Sequence, residues 1–159
     1  MSIFPARILL ATDGSREAQL AASTAADLAD TTNSELHVLT VALGNPDPIY
    51  HIHEGGLRYE TYQQALKAVR EDAQQVLDEQ VQKLEEAGAS VKEAHLRIGE
   101  RRDQAIVHLA EELGAGLIVM GSRGLGGVRR ALMGSVSASV VHHAHCPVMI
   151  VRPEKERAE

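Results

Sequence analysis

Leu117-Ile-Val-Met-Gly-Ser-Arg-Gly124 decides the fold. Four consecutive apolar residues between Gly116 and Gly121 form the most apolar segment of the chain. They predict a strand buried on both faces, and a glycine-rich loop over 121–127 follows it. Such a strand needs helices above and below, and the neighbouring segments supply them. Upstream, Ile106, Val107, Leu109, Ala110 and Leu113 repeat at helical spacing over 101–113, opened after Gly99 and closed by Gly114 and Gly116. Downstream, a helix of about 135–145 precedes Pro147 and the strand Val148-Met-Ile-Val151.

Further out the same alternation continues. Ser90 to Ile98 alternates apolar and polar residues, as a strand near a sheet edge does. Residues 58–87 predict a long amphipathic helix ended by Gly88, and 44–56, with two Pro and three Gly, predict a loop. Leu36–Leu43 and Arg7–Thr12 predict buried strands, and Ser15 is a suitable N-cap for a helix over 15–32. Strands alternating with helix-length connections require right-handed crossovers. The expected class is therefore α/β, a parallel sheet with helices on both faces.

The chain has 159 residues, which suits one domain over 1–153 with a charged tail over 154–159. A formal net charge of −6 argues against nucleic acid or an anionic membrane surface as the main partner. Aromatic residues are 3%, too few for a base-stacking platform. One cysteine, Cys146, cannot form an internal disulfide, and Ile8 to Ala11 is too short an apolar run for a secretory signal. A cytoplasmic location is expected. Residues 131–151 carry no Asp, Glu, Lys or Arg, but their Gly, Ser, His and Pro favour a buried helix and strand over a membrane span.

The chemistry concentrates in Gly114 to Gly134. This segment holds 7 of the 13 glycines, together with Arg123, Arg129 and Arg130, and no acid. Glycines let backbone N–H groups approach a ligand, and a following helix offers uncapped donors at its start. With arginines, that combination suits an anionic, phosphate-bearing ligand at the carboxyl ends of parallel strands. The glycines would also serve tight turns alone. No Gly-x-x-x-x-Gly-Lys-Ser/Thr occurs, which excludes a P-loop. Reading on from Gly124 and Gly126 puts Arg129 where a dinucleotide fingerprint needs its third glycine. Asp13 ends the first strand, where a carboxylate can bond ribose hydroxyls or simply close a turn. Ser135 and Ser137 can meet phosphate or cap the last helix.

Gly121-Ser-Arg-Gly124, nine residues, then Gly134-Ser135 matches the Gly-x₂-Gly-x₉-Gly-Ser/Thr signature, and the chain resembles the ATP-binding, single-domain type of the universal stress protein family. The resemblance extends to Ile8-Leu-Leu-Ala-Thr-Asp-Gly-Ser15 and Cys146-Pro-Val-Met-Ile-Val151. It implies a doubly wound, open five-stranded parallel sheet of order 3-2-1-4-5, with ATP at the switch between strands one and four. By that resemblance Thr12 and Asp13 stand at the nucleoside end and Val41 holds adenine through its backbone. Met120 and Gly121 floor the site, and the amides of Arg123 and Gly124 meet phosphate. Gly134, Ser135, Val136 and Ser137 wrap the phosphates, their Ser hydroxyls donating. It also implies Mg²⁺ or Mn²⁺ on the phosphates, with no protein side chain expected as a metal ligand, and a homodimer paired through Val148–Val151. The implied role is a nucleotide-dependent regulator or sensor with at most slow ATP hydrolysis. The alternatives are a dimeric interaction module that binds no nucleotide, and a weak ATPase or phosphotransferase. Arg101-Arg102 stand where relatives commonly have Pro, apart from the glycine motif.

Other clusters carry less. His142 and His145 would share a helix face beside Cys146, but no nearby acid completes a metal set, and His51-x-His53 lies in the loop. No Gly-x-Ser-x-Gly elbow supports a serine hydrolase.

Overall fold

Side-chain alternation along each strand sorts the core into two layers. A computed structural model describes residues 6–44, 57–123 and 133–154. Its elements are β1 (Arg7–Ala11), α1 (Arg16–Thr32), β2 (Glu35–Ala42), α2 (Leu57–Glu86), β3 (Val91–Ile98), α3 (Arg102–Leu113), β4 (Leu117–Gly121), α4 (Ser135–His143) and β5 (Val148–Val151). The sheet is parallel throughout, in the order β3-β2-β1-β4-β5. This is the order that the resemblance implied.

Ile8, Leu10, Leu36, Val38 and Val119 point to one face and pack against α1 and α2. Leu9, Leu39, Ile118 and Met120 point to the other and pack against Ile106 and Leu109 of α3 and Val140 of α4. Leu9, Leu39 and Ile118 are fully buried, and each contributes about 1.5–3 kcal/mol by leaving water. The buried stripe of α1 is made of alanines alone: Ala18, Ala21, Ala22, Ala25 and Ala29. Short side chains bring this helix close to the sheet. A Cβ added at Gly121 would sit 3.0 Å from the main-chain carbon of Glu17, so any side chain at the end of β4 would crowd α1.

The boundary of α4 differs from expectation. It ends at His143, with Ala144 extended. The carbonyl of Pro147 accepts from the Ile118 N–H, which draws the following residues into the sheet and stops the helix early. His145 is therefore outside the helix and does not share a face with His142. No described helix is long and apolar enough to cross a membrane, and the charge-free stretch 131–151 holds α4 and β5.

The strand order sets the position of the site. The chain leaves β1 toward the face that carries α1, and leaves β4 toward the face that carries α4. The two connections diverge and open a crevice at the carboxyl ends of adjacent strands.

Candidate functional site

A cleft of about 380 Å³ occupies that crevice. Ten of the eleven residues singled out from sequence line it: Thr12, Asp13, Val41, Met120, Gly121, Arg123, Gly134, Ser135, Val136 and Ser137. Gly124 lies outside the described residues. The cleft has two characters. Ala11, Leu39, Val41, Ile106 and Met120 make one apolar region, suited to a flat, weakly polar ring. The glycine-bearing segments and the start of α4 make a polar one.

At the end of β1, Thr12 is buried, and its hydroxyl donates to Gln80 of α2 at 3.1 Å and accepts from the Gly14 N–H. Its contribution to the cleft is thus from the main chain. Asp13 Oδ1 accepts from the Ser15 N–H at 3.0 Å, the local turn that a carboxylate favours. Gly14 follows at φ +77°, a conformation that glycine adopts without strain. Ser15 then caps α1 by accepting from the Ala18 N–H. The same Asp13 thus closes a turn and faces the cleft.

On the opposite side, the Ser122 carbonyl ties the loop after β4 to α4. It accepts from the Gly134 N–H at 2.7 Å and from Ser137 Oγ at 2.9 Å. Ser137 is 2% exposed, and its hydroxyl lies also 3.1 Å from the Gly134 carbonyl. The single proton of Ser137 is thus engaged within the protein, and its hydroxyl ties the loop to α4, a structural role beside the phosphate contact expected of it. Ser135 is exposed, and its hydroxyl is open to that contact. The N-cap of α4 is Gly134, with no side-chain cap. The first-turn amides of α4 therefore face the cleft as donors, reinforced by the helix dipole.

Two arginines line the cleft. Arg123 Nε lies 3.6 Å from Glu17 Oε1, and Ser122 Oγ donates to the same carboxylate at 3.4 Å. Arg102 was not among the residues expected here, yet it stands in the same wall as Gly121 and Gly134. Its Nε is shut off from solvent with no hydrogen-bond partner among the described residues. Asp103, next in sequence, accepts from Ser139 Oγ at 2.7 Å, which docks the first turn of α3 beside α4. That bond, with Arg101 assisting, holds the Asp103 carboxyl below its ordinary range. Arg102 is thereby held near the first turn of α4. Its place at the start of α3, at the carboxyl end of the sheet, was the available signal.

The histidines near the C-terminus do not converge. His143 Nδ1 lies 2.8 Å from the Ser139 carbonyl oxygen, and His145 Nε2 lies 2.9 Å from Glu111 Oε1. An acid thus does stand near His145, contributed by α3, but among the described residues this group forms no metal cluster. Burial pushes the Cys146 thiol up, away from a reactive thiolate. His51 and His53 lie outside the described residues.

The model of the universal stress protein family matches residues 6–152. A universal stress protein of Staphylococcus haemolyticus (strain JCSC1435) is 31% identical over 148 residues, covering 93% of this chain and 85% of that protein. A universal stress protein solved in complex with cAMP superposes with a TM-score of 0.64 at 26% identity, over 94% of this chain and 98% of the other. One from Archaeoglobus fulgidus in complex with dAMP gives 0.59 at 25%, over 95% and 99%. With the strand order, the cleft at the switch point and a match that leaves only the chain ends uncovered, the chain belongs to the universal stress protein family.

Proposed function

We propose that this chain binds an adenine nucleotide, ATP foremost, and acts as a nucleotide-dependent regulator or sensor rather than a high-turnover enzyme. The observation that carries this reading is the convergence of β1, β2, β4 and the start of α4 on one cleft with an apolar region and a donor-rich region. Adenine fits between Val41, Ile106 and Met120, with Asp13 on the ribose hydroxyls. The phosphates meet the first-turn amides of α4, the main chain of Arg123 and Gly124, and the guanidinium of Arg102. Both ligands of the solved relatives, cAMP and dAMP, carry adenine and phosphate, which supports the same chemistry here.

Asp13 is the one carboxylate among the described residues lining the cleft, and an Mg²⁺ or Mn²⁺ cage needs more oxygen ligands than that. Such an ion fits on the phosphates and waters, where it would neutralise phosphate charge. Among the described residues the same wall holds no His, Glu or Gln to orient an attacking water, in keeping with slow hydrolysis at most. Along the outer edge of the sheet, the four residues of β5 are half-buried, and their far side pairs with no strand among the described residues. We assign that edge to pairing with a second copy. Sedimentation showing a monomer at micromolar concentration would overturn the dimer.

The deciding experiment is to denature freshly purified protein and identify any released nucleotide by chromatography. With no Trp and three Tyr, the chain absorbs weakly, so bound adenine shows plainly in the ultraviolet spectrum. Recovered ATP supports tight binding with slow turnover, and ADP supports an ATPase. Protein that is empty and ignores added Mg-ATP is an interaction module without nucleotide.

A further inference from the structure

A second group of ligating side chains lies on β2 and β3, below the cleft. The register pairs His37 with Glu93 and Leu39 with His95, after a shift between Leu36 and His37. Alternation places His37, Glu93 and His95 on the face that also carries Leu39 and Val41. Val41 lines the cleft four residues further along β2, roughly 13 Å away at strand rise, so the two sites are separate.

His37 Nδ1 lies 3.2 Å from His95 Nε2, with the rings stacked at 5.5 Å and 27°. His95 Nε2 is 3.8 Å from Glu93 Oε2, and one ligand atom from each of the three residues falls within 4.8 Å of the others. Two nitrogens bound to one tetrahedral Zn²⁺ stand roughly 3.4 Å apart, given metal–nitrogen bonds of about 2.0–2.1 Å. The second observation concerns the other edge of His37. This side chain is 5% exposed, and its Nε2 has no hydrogen-bond partner among the described residues, facing Glu35 Oε2 at 3.5 Å. A ring that ligates through one nitrogen and turns the other toward a carboxylate is how proteins fix a ligating histidine. A hydrogen bond between the two rings would account for the first contact, but not for Glu93 beside it or for the orientation toward Glu35.

We propose that His37 Nδ1, His95 Nε2 and the Glu93 carboxylate bind a divalent transition-metal ion of the Zn²⁺ class, with water completing the set and Glu35 orienting His37. Two of the three ligands sit on β3, at the sheet edge, so the ion clamps the edge strand to β2.

The test uses the full chain, dialysed against chelator and free of nucleotide, titrated with Zn²⁺ by calorimetry. One ion per chain is expected, with Tm rising about 5–10 °C at a hundredfold excess over Kd. His95→Gln should weaken binding about 100-fold. Glu93→Gln, on an exposed edge position that cannot threaten the fold, should weaken it about 10-fold or more. Glu35→Gln should alter the visible bands of the Co²⁺ form, which a merely structural role would leave unchanged. His145→Gln should bind as the parent does. Absence of stoichiometric binding, or binding undiminished in both His95→Gln and Glu93→Gln, overturns the proposal.

Discussion

Replacing Arg102 by methionine separates a phosphate-reading arginine from an incidental one. The two side chains have similar reach, so the apolar stem stays packed while the guanidinium goes. A hydrogen bond to a charged group contributes about 1.5–3 kcal/mol, which at about 1.4 kcal/mol per decade is roughly a 10- to 100-fold loss of ATP affinity. Adenosine, with no phosphate, should bind unchanged. Stability should move the other way. Arg102 Nε is buried with no hydrogen-bond partner among the described residues, an arrangement that costs about 1–3 kcal/mol, so the substitution should leave Tm equal or raise it. Calorimetric titration with Mg-ATP and adenosine, beside urea denaturation of the nucleotide-free chain, reads both effects. Arg101→Met is the control: Arg101 is 71% exposed and pairs with Asp103 outside the cleft wall, so its loss should spare ATP affinity. Equal losses for ATP and adenosine, or no loss for either, would refute the role given to Arg102.

Gly121→Ala sets a methyl 3.0 Å from the Glu17 main chain, and overpacking of this kind should cost about 1–3 kcal/mol in urea denaturation; an unchanged midpoint would mean that α1 yields freely. Ser137→Ala removes a buried donor from the Ser122 carbonyl and should destabilise the chain by about 0.5–1.5 kcal/mol. Ser135→Ala should spare stability and weaken ATP binding, and the reverse pattern would exchange the two roles. The Asp103 pKa is lowered from 3.8, so the stabilisation from its contacts is complete above that value and is lost as pH falls through the folded-state pKa. Asp103→Asn should flatten this acid-side loss in a urea series from pH 5 to 3, and an unaltered slope would remove Asp103 from the account.

Local periodicity made the elements legible in the sequence. The runs at 8–11 and 117–120 and the helical spacing over 101–113 each report on contacts with neighbouring turns or on the two faces of one strand. The glycine spacing from Gly121 to Gly134 was legible for the same reason, since conformational freedom belongs to single residues. The site followed once the family resemblance supplied a strand order, because that order alone says which loops meet. Alternation of strands and helices permits several orders, and 3-2-1-4-5 was not in the pattern itself.

The tertiary structure decided whatever depends on register and on approach between distant segments. Whether the Ser137 hydroxyl meets a ligand or the Ser122 carbonyl depends on where two loops touch. Arg102 resembles a solvated arginine at a helix start until the Asp103–Ser139 bond sets α3 beside α4. His37 and His95 are separated by α2 in the chain and brought to 3.2 Å by a pairing that a shift of one residue would abolish, since it would turn the partner strand's side chains to the opposite face. The sequence by itself determined the strands, the helices and the flexible glycines, because these depend on near neighbours. Which side chains face one another was left to packing between residues far apart in the chain.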